Sequence, residues 1–194
     1  MNTFPKASLG LFPTPLYRLN NISHELGTNV WIKRDDLCGV ALGGNKVRKL
    51  EYLLQDAKNQ GYDLVMTTGQ AQSNHAMLTA ACALRMGLDC VLVLKERGVT
   101  ARKGNQILNL LMGVEVIYVD TDSYEDIYAE MDRIAAERGR KVYMIPCGGS
   151  NALGSLGYIE CMKEIADSGI HFDHLVCTCG SGGTAAGSVL GAKL

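Results

Sequence analysis

The sequence predicts an α/β protein in which helices cover a parallel β-sheet. Short apolar runs alternate with segments of helical periodicity along most of the chain, and this alternation is typical of parallel sheets. The length of 194 residues corresponds to one domain, or to two small domains that share a core. Glycine contributes 22 residues, above its average share of roughly 7%, so many backbone positions must turn sharply or approach a neighbour closely.

Six short apolar runs predict the strands. In chain order they span residues 30–33, 64–67, 90–94, 115–119, 141–145 and 175–178. The four central runs, with the helices between them, form a compact unit that leaves chain on both sides. We therefore expect a small α/β domain at 48–161, inserted into a larger domain made of 1–47 and 162–194.

Five helices fill the gaps between the strands. The first, at 45–59, has an apolar stripe made of Val47, Leu50, Leu54 and Ala57, as an amphipathic helix requires. The second, at 73–86, is apolar on nearly every side, which is typical of a helix buried between a sheet and a neighbour. Apolar spacing or a closing glycine predicts the others, which span 104–112, 124–138 and 151–166.

Charge and hydropathy exclude two classes of partner. The chain has 19 Lys and Arg against 20 Asp and Glu, a net charge of −1, so it lacks the basic field on which non-specific nucleic-acid binding relies. The most apolar window, 76–94, contains Arg85 and Asp89, which make a transmembrane span too costly. The N-terminus has no apolar signal segment, and we expect a cytoplasmic protein.

Seven cysteines indicate neither a disulfide framework nor a structural zinc site. Their number is odd and none are paired as CxxC, so no metal ion is expected. All seven are predicted to be small buried hydrophobic residues. They are Cys38, Cys82, Cys90, Cys147, Cys161, Cys177 and Cys179.

The sharpest local signal is a glycine loop that follows a predicted strand and opens a helix. It consists of Gly180, Ser181, Gly182, Gly183 and Thr184. N–H groups at a helix N-terminus, together with the helix dipole, favour a phosphate. The loop has neither the lysine of a Walker A motif nor GxGxxG spacing, which disfavours nucleoside triphosphates and NAD. A tight turn that binds nothing explains the same residues about equally well.

Lys46 lies in the first turn of the helix at 45–59, directly after Gly43, Gly44 and Asn45. The positive end of the helix dipole and burial both disfavour an ammonium there, so the neutral amine that Schiff-base chemistry needs becomes accessible. The alternative is an exposed lysine near a helix start. That is the state expected for Lys49.

Three polar residues, Ser73, Asn74 and His75, open the apolar helix at 73–86. Ser73 or Asn74 can cap the helix, but one cap does not explain all three residues. His75 alone is compatible with a core histidine that has satisfied hydrogen bonds. A Ser–His nucleophilic pair is disfavoured, because adjacent helix residues point about 100° apart and no third orienting group is evident.

In their order and spacing, four segments together resemble the pyridoxal-phosphate enzymes of the tryptophan-synthase-β fold group. These segments are 43–54, 72–75, 148–151 and 180–184. Within that group the chain is similar to the branch that contains 1-aminocyclopropane-1-carboxylate deaminase and D-cysteine desulfhydrase, from Phe12 to the last residue. The resemblance implies pyridoxal 5'-phosphate as cofactor. It also implies a three-layer α/β fold with a small parallel-sheet domain inserted in a larger one.

The resemblance also implies roles for individual residues. Lys46 would carry the cofactor covalently and, once displaced, move protons at the substrate carbons. Asn74 would hydrogen-bond the cofactor's 3-oxygen, and Gly180, Ser181, Gly182, Gly183 and Thr184 would hold its phosphate. The turn formed by Ser73, Asn74 and His75 would bind the substrate carboxylate through backbone N–H groups. Ser73 would be available as a further proton-transferring group.

The substrate implied is a small amino acid. The deaminases are expected to have Gln where this chain has His75, while the desulfhydrases tolerate His, so we expect β-elimination of D-cysteine to pyruvate, ammonia and hydrogen sulfide. The alternatives are deamination of 1-aminocyclopropane-1-carboxylate to 2-oxobutanoate and ammonia, and cysteate sulfo-lyase activity. If residue 75 acts on the substrate, a His75 imidazole with an unperturbed pKa is expected to change charge between roughly pH 6 and 8.

Members of this family continue well beyond the phosphate loop, and their later segment carries the partner of the pyridine nitrogen and an active-site tyrosine. The larger domain is therefore expected to be incomplete in 194 residues, through truncation or because a second polypeptide completes it. A full-length chain is expected to form a homodimer. Two other hypotheses are a non-catalytic remnant that binds the cofactor or another phosphate, and an unrelated phosphate-binding module.

Overall fold

The computed structural model describes residues 4–97 and 102–194. Its main sheet has four parallel strands, β3 (Leu64–Gln70), β4 (Asp89–Lys95), β5 (Glu115–Val119) and β6 (Val142–Ile145). Their order across the sheet is β5-β4-β3-β6. Two shorter strands, β1 (Leu16–Arg18) and β2 (Trp31–Lys33), form a separate antiparallel pair.

Seven α-helices accompany the strands within the described residues. They are α1 (Asn20–Leu26), α2 (Lys46–Asn59), α3 (Asn74–Arg85), α4 (Asn105–Leu111), α5 (Tyr124–Glu137), α6 (Ala152–Asp167) and α7 (Gly183–Gly191). None of the helices in the described part of the chain is long and apolar enough to cross a bilayer.

The parallel sheet is covered on both faces, because its strands expose alternate residues to opposite sides. Val65 of β3 belongs to the larger apolar cluster, which includes the buried faces of α2 and α3. Its neighbour Met66 belongs to the second cluster, with Ile127 and Met131 of α5. This three-layer arrangement confirms the predicted fold class, and the central strands and five helices lie where periodicity predicted them.

Two short elements, β1 and α1, were not predicted. β1 has three residues, none of them buried, and α1 buries only Ser23, so neither has an apolar pattern that sequence reasoning can detect. The strand predicted at 175–178 is wrong. That segment pairs with no strand among the described residues, and the side chain of Val176 is 94% exposed. An apolar run becomes a strand only where a neighbour supplies its backbone hydrogen bonds.

The prediction that all seven cysteines are buried is wrong for three of them. Cys38, Cys82, Cys90 and Cys161 are buried, Cys147 is half-buried, and Cys177 and Cys179 are exposed. The two exposed thiols lie on or next to the segment at 175–178, which pairs with no strand in the part of the chain that the structure describes.

A buried ion network joins α2 to α6 and to the segment after β2. Arg48 of α2 is 3% exposed, and its guanidinium donates to both oxygens of Asp35 and to both oxygens of Glu164, at 2.7 to 2.9 Å. The hydroxyls of Thr14 and Tyr158 also donate to Asp35. Burial alone would raise the pKa of each acid, but hydrogen bonds from Arg48 and its charge leave both pKa values lowered.

We expect Asp35→Ala to lower the free energy of unfolding by about 3–5 kcal/mol, because it leaves the buried Arg48 charge partly unpaired. The adjacent Asp36 is the matched control, since it pairs with Arg34 at the surface, and Asp36→Ala should change stability little. Urea unfolding of both variants measures the difference. Similar losses in the two variants would contradict the structural role of the network.

The difference in the free energy of unfolding between wild type and Asp35→Ala should depend on pH. Because the pKa of Asp35 is lowered in the folded state, its contribution is complete at neutral pH and is lost as the pH falls through that lowered value. The gap in stability between wild type and Asp35→Ala should therefore narrow in acid. A gap that widens on acidification would show that the sign of the pKa shift is wrong.

Candidate functional site

The candidate site lies at the carboxyl edge of the parallel sheet, where ligands bind in many open α/β sheets. β3 ends in the turn that leads to Ser73 and α3, and β6 ends in the turn that contains Gly148, Gly149 and Ser150. The first residues of α2 and of α7 meet this edge. Four segments that are far apart in sequence therefore contribute to one region.

Lys46, the first residue of α2, faces the glycine loop across a cavity of ≈ 520 Å³. Lys46, Gly180, Ser181, Gly182 and Thr184 all line this cavity. The Lys46 amine donates to the side-chain oxygen of Asn45 at 2.9 Å, and the Asn45 amide donates to the Thr184 hydroxyl at 3.0 Å. Burial lowers the pKa of Lys46, which favours the neutral amine.

Lys49 was expected to be exposed, and that expectation is wrong. Its side chain is 1% exposed, and its ammonium donates to the carbonyl of Gly148 at 3.2 Å and to the Ser150 hydroxyl at 3.0 Å. Residues three apart share a helix face, so Lys49 lies on the same side of α2 as Lys46. Burial and the charge of Lys46 lower the pKa of Lys49 to about 8.

Ser150 connects Lys49 to the glycine loop. Its hydroxyl oxygen lies 2.7 Å from the hydroxyl oxygen of Ser181 and accepts the N–H of Gly183 at 3.3 Å. A Cβ on Gly183 would lie 2.6 Å from the Ser150 hydroxyl and 2.8 Å from the Lys49 ammonium. Only glycine allows the loop to approach this closely, and sequence reasoning assigned no role to Ser150 or Lys49.

The residues around the loop fit a phosphate group. The nine-residue α7 has no side-chain cap at its N-terminus. The N–H of Gly183 donates to Ser150, while the next N–H groups of the first turn have no intrahelical acceptor and form an anion site. Lys49 adds a buried positive charge that has no carboxylate partner among the described residues. Because buried charges are normally paired, a phosphate that bridges Lys49 and the start of α7 would satisfy both.

Asn74, which follows Ser73 at the start of α3, lies beside the glycines that precede Lys46. The Ser73 hydroxyl accepts the N–H of Ala76 at 3.1 Å, so Ser73 is the helix cap. The Asn74 amide lies 3.5 Å from the carbonyl oxygen of Gly43, and a Cβ on Gly44 would lie 2.6 Å from the same amide. The structure therefore brings this turn to the start of α2.

His75 lies inside the protein, below the turn. Its side chain is 4% exposed, and its Nε2 is 2.9 Å from the hydroxyl of Thr67 on β3. Burial, with the charges of Lys46 and Lys49, lowers the pKa of His75 to about 3. The expected change of charge between pH 6 and 8 is therefore wrong, because the imidazole is desolvated rather than exposed to a substrate.

Comparison with known protein families gives one match that covers almost the whole chain. The family model described as "Pyridoxal-phosphate dependent enzyme" matches residues 7–194. Among curated relatives, the "Putative 1-aminocyclopropane-1-carboxylate deaminase" of Pyrococcus horikoshii is 49% identical over 197 residues, covering 98% of this chain and 59% of the relative. The "D-cysteine desulfhydrase" of Yersinia pestis is 41% identical over 201 residues, covering 98% and 61%.

Solved structures give a consistent result. The crystal structure of an "ACC deaminase homologue" has a TM-score of 0.92 and 46% sequence identity, and the match covers 97% of this chain and 58% of that one. Maize serine racemase has a TM-score of 0.74 at 21% identity, covering 93% and 52%, which shows a shared fold. The chain thus spans about 60% of the length of these curated relatives.

The two lysines allow a test of the phosphate pocket with pyridoxine 5'-phosphate, which has no aldehyde and cannot bond covalently to an amine. We expect Lys46→Met/Lys49→Met to bind it about tenfold more weakly than Lys46→Met, a difference of about 1.4 kcal/mol. The comparison keeps position 46 uncharged in both proteins. Calorimetric titration at pH 7 measures the two dissociation constants.

The pH dependence provides the control. Burial and the charge of Lys46 lower the pKa of Lys49 to about 8. Lys46→Met removes the second cause, so in that variant the ammonium of Lys49 is present at pH 7 and is lost at a higher pH than in the wild type. The affinity of Lys46→Met should therefore fall between about pH 8 and 10 more than that of the double variant, since the titration of the ligand is common to both. An equal pH dependence of the two dissociation constants would show that Lys49 does not contribute to phosphate binding.

Proposed function

This chain belongs to the pyridoxal-phosphate dependent enzyme family, and we propose that it is the lysine-bearing part of a lyase that acts on D-cysteine. One observation carries the proposal. Lys46, Lys49 and the loop that contains Gly182 and Thr184 converge on a single region, although up to 138 residues separate them, from 46 to 184. If the glycine loop were only a tight turn, or Lys46 only an exposed surface lysine, there would be no reason for these residues to lie together.

The cofactor fits the region as follows. Lys46 would hold it covalently, and the loop Gly180–Thr184 would hold its phosphate together with Lys49. Asn74 would donate to its 3-oxygen, from a position beside Gly44. Pyridoxal phosphate, when bound, supplies an electron sink for negative charge that develops at the substrate α-carbon.

The side chains around the cofactor site can move the protons that an elimination requires. The lowered pKa of Lys46 favours an amine that accepts the proton from the α-carbon. The Ser73 oxygen accepts the N–H of Ala76, which leaves the Ser73 hydroxyl hydrogen free to be donated. D-cysteine and water would thereby give pyruvate, ammonia and hydrogen sulfide, with the thiol as leaving group.

The start of α3 is suited to the substrate carboxylate. Ser73 caps the N–H of Ala76, while the N–H groups of Asn74 and His75 belong to the first turn and have no intrahelical acceptor. Two such N–H groups and the helix dipole favour an anion. The carboxylate and the phosphate would then occupy opposite ends of one site, with Lys46 between them.

Deamination of 1-aminocyclopropane-1-carboxylate is the second candidate activity, because relatives with 42–49% identity are named putative deaminases of this amino acid. His75 marks the resemblance to the desulfhydrase branch, and this resemblance favours D-cysteine, although the buried imidazole does not itself contact the substrate. We further propose that the remaining 40% or so of the relatives' length completes the larger domain, and that the complete protein is a homodimer.

Borohydride reduction of the cofactor-loaded protein tests the attachment site. We expect the reduced cofactor on Lys46 in peptide mapping, because Lys46 lines the cavity and its amine is the less hydrogen-bonded of the two. Lys46→Ala should abolish the label and leave the melting temperature nearly unchanged. Lys49, three residues away and buried, is the internal control, and label on Lys49 would contradict the assignment.

The absorption spectrum of the bound cofactor tests Asn74. We expect Asn74→Ala to shift the visible band and its pH dependence, since removing a donor to the 3-oxygen changes the protonation equilibrium of the chromophore. Thermal stability should stay the same, because Ser73, not Asn74, caps α3. An unchanged spectrum would leave Asn74 without a role at the cofactor.

The activity is tested in the full-length protein. We expect pyruvate and sulfide from D-cysteine at a kcat/KM at least tenfold above that for release of 2-oxobutanoate from 1-aminocyclopropane-1-carboxylate. The opposite order would make deamination the function. Loss of both activities in Lys46→Ala, with the fold retained, is the control for contaminating enzymes.

A further inference from the structure

The imidazole of His75 is held between two parts of the site, although it belongs to the turn proposed to bind the substrate. One edge contacts Thr67 on β3, where Nε2 lies 2.9 Å from the hydroxyl oxygen. The ring also faces the turn after β6, since a Cβ on Gly149 would lie 3.4 Å from the His75 Cε1. That turn supplies the carbonyl of Gly148 and the hydroxyl of Ser150 to Lys49.

The hydrogen-bond partners determine which nitrogen carries the proton. The Thr67 hydroxyl donates to the carbonyl of Ile145 on β6 at 2.9 Å, and a hydroxyl has a single hydrogen to donate. The Thr67 oxygen therefore accepts from His75, so that Nε2 carries the hydrogen. Nδ1 is then unprotonated and has no hydrogen-bond partner among the described residues. The Pro146 backbone carbonyl also faces the ring and favours its N–H form.

This chain of hydrogen bonds crosses three elements. It runs from His75 on α3 through Thr67 on β3 to the carbonyl of Ile145 on β6, directly before the turn that meets the glycine loop. All three groups are buried, so solvent cannot replace a lost bond, and an unsatisfied buried donor or acceptor is costly. The first turn of α3 is thereby held at a defined distance from the turn at Gly148–Ser150.

We propose that His75 is a positioning residue, whose neutral Nε2–H donates to Thr67 and sets the distance between the carboxylate-binding start of α3 and the phosphate-binding side of the site. The inference rests on the proposed function of the α3 N-terminus as carboxylate site. The imidazole does not touch the substrate in this arrangement. Residue 75 therefore acts on every substrate that presents a carboxylate, and it does not choose among leaving groups.

The proposal predicts which substitutions of His75 and Thr67 preserve the function. The amide nitrogen of Gln can reach the position of Nε2 and donate in its place, so His75→Gln should preserve the function. His75→Leu retains volume but has no donor, and Thr67→Val removes the acceptor. A histidine that only fills space would show the opposite order, because Leu is then the better replacement for a buried ring.

The experiment compares D-cysteine with D-cysteinamide, which lacks the carboxylate, in the full-length holoenzyme. We expect His75→Leu and Thr67→Val to raise the KM for D-cysteine about tenfold, the factor set by one lost buried hydrogen bond, with kcat changed less and the KM for the amide unchanged. For His75→Gln, the KM values of both compounds should stay within about threefold of wild type, which is less than the tenfold change expected from the lost hydrogen bond. A ¹⁵N spectrum of the imidazole should show Nε2 protonated and Nδ1 unprotonated from pH 6 to 8.

In an enzyme that is active on D-cysteine, two kinds of result would overturn the positioning role of His75 and leave the proposed function intact. One is a His75→Gln variant as impaired as His75→Leu, or an equal loss for the amide. The other is an imidazole protonated at Nδ1, or one that gains a second proton above pH 6. A wild-type holoenzyme that turns over no amino acid would instead overturn the proposed function, and the carboxylate role of α3 with it, whatever the tautomer of His75.

Discussion

The position of α2 is the constraint on which the rest of the site depends, and the ion pairs of Arg48 determine it. Arg48 donates to Asp35 in the segment after β2 and to Glu164 on α6. The Arg48 side chain is 3% exposed, and those of Asp35 and Glu164 are 13% and 16% exposed. A buried charge that loses its partners is strongly destabilising. α2 therefore cannot rotate or slide without breaking this network, and the directions of Lys46 and Lys49 follow from it.

The two lysines on that helix show how one environment can produce two chemical states. Burial lowers the pKa of both amines, and the proximity of two like charges adds to the effect for Lys49. Lys49 has acceptors in Gly148 and Ser150, and a phosphate beside it would restore its charge. Lys46 contacts the neutral side chain of Asn45, and burial lowers its pKa, so its neutral amine becomes accessible.

Close approach of backbone segments makes the assembly possible. The turn at Gly148–Ser150 contacts both the loop at Gly180–Thr184 and the ammonium of Lys49, while its other side packs on the ring of His75. One turn thus connects the proposed phosphate and carboxylate ends of the site. The segment at 175–178, by contrast, has no strand beside it in the described residues, and the apolar side chains of Leu175 and Val176 are exposed.

The sequence by itself determined the layer architecture, because the periodicity of apolar residues depends on local geometry alone. It also singled out Lys46 and the glycine loop as candidate site residues, through the order and spacing of four segments together and not through either motif alone. Only the tertiary structure decided that Lys49 and His75 are buried and that Ser150 connects Lys49 to the loop. The residues that cover Lys49 lie 99 and 101 positions away. Burial, and the pKa that follows from it, is set by such distant neighbours, and no local pattern encodes them.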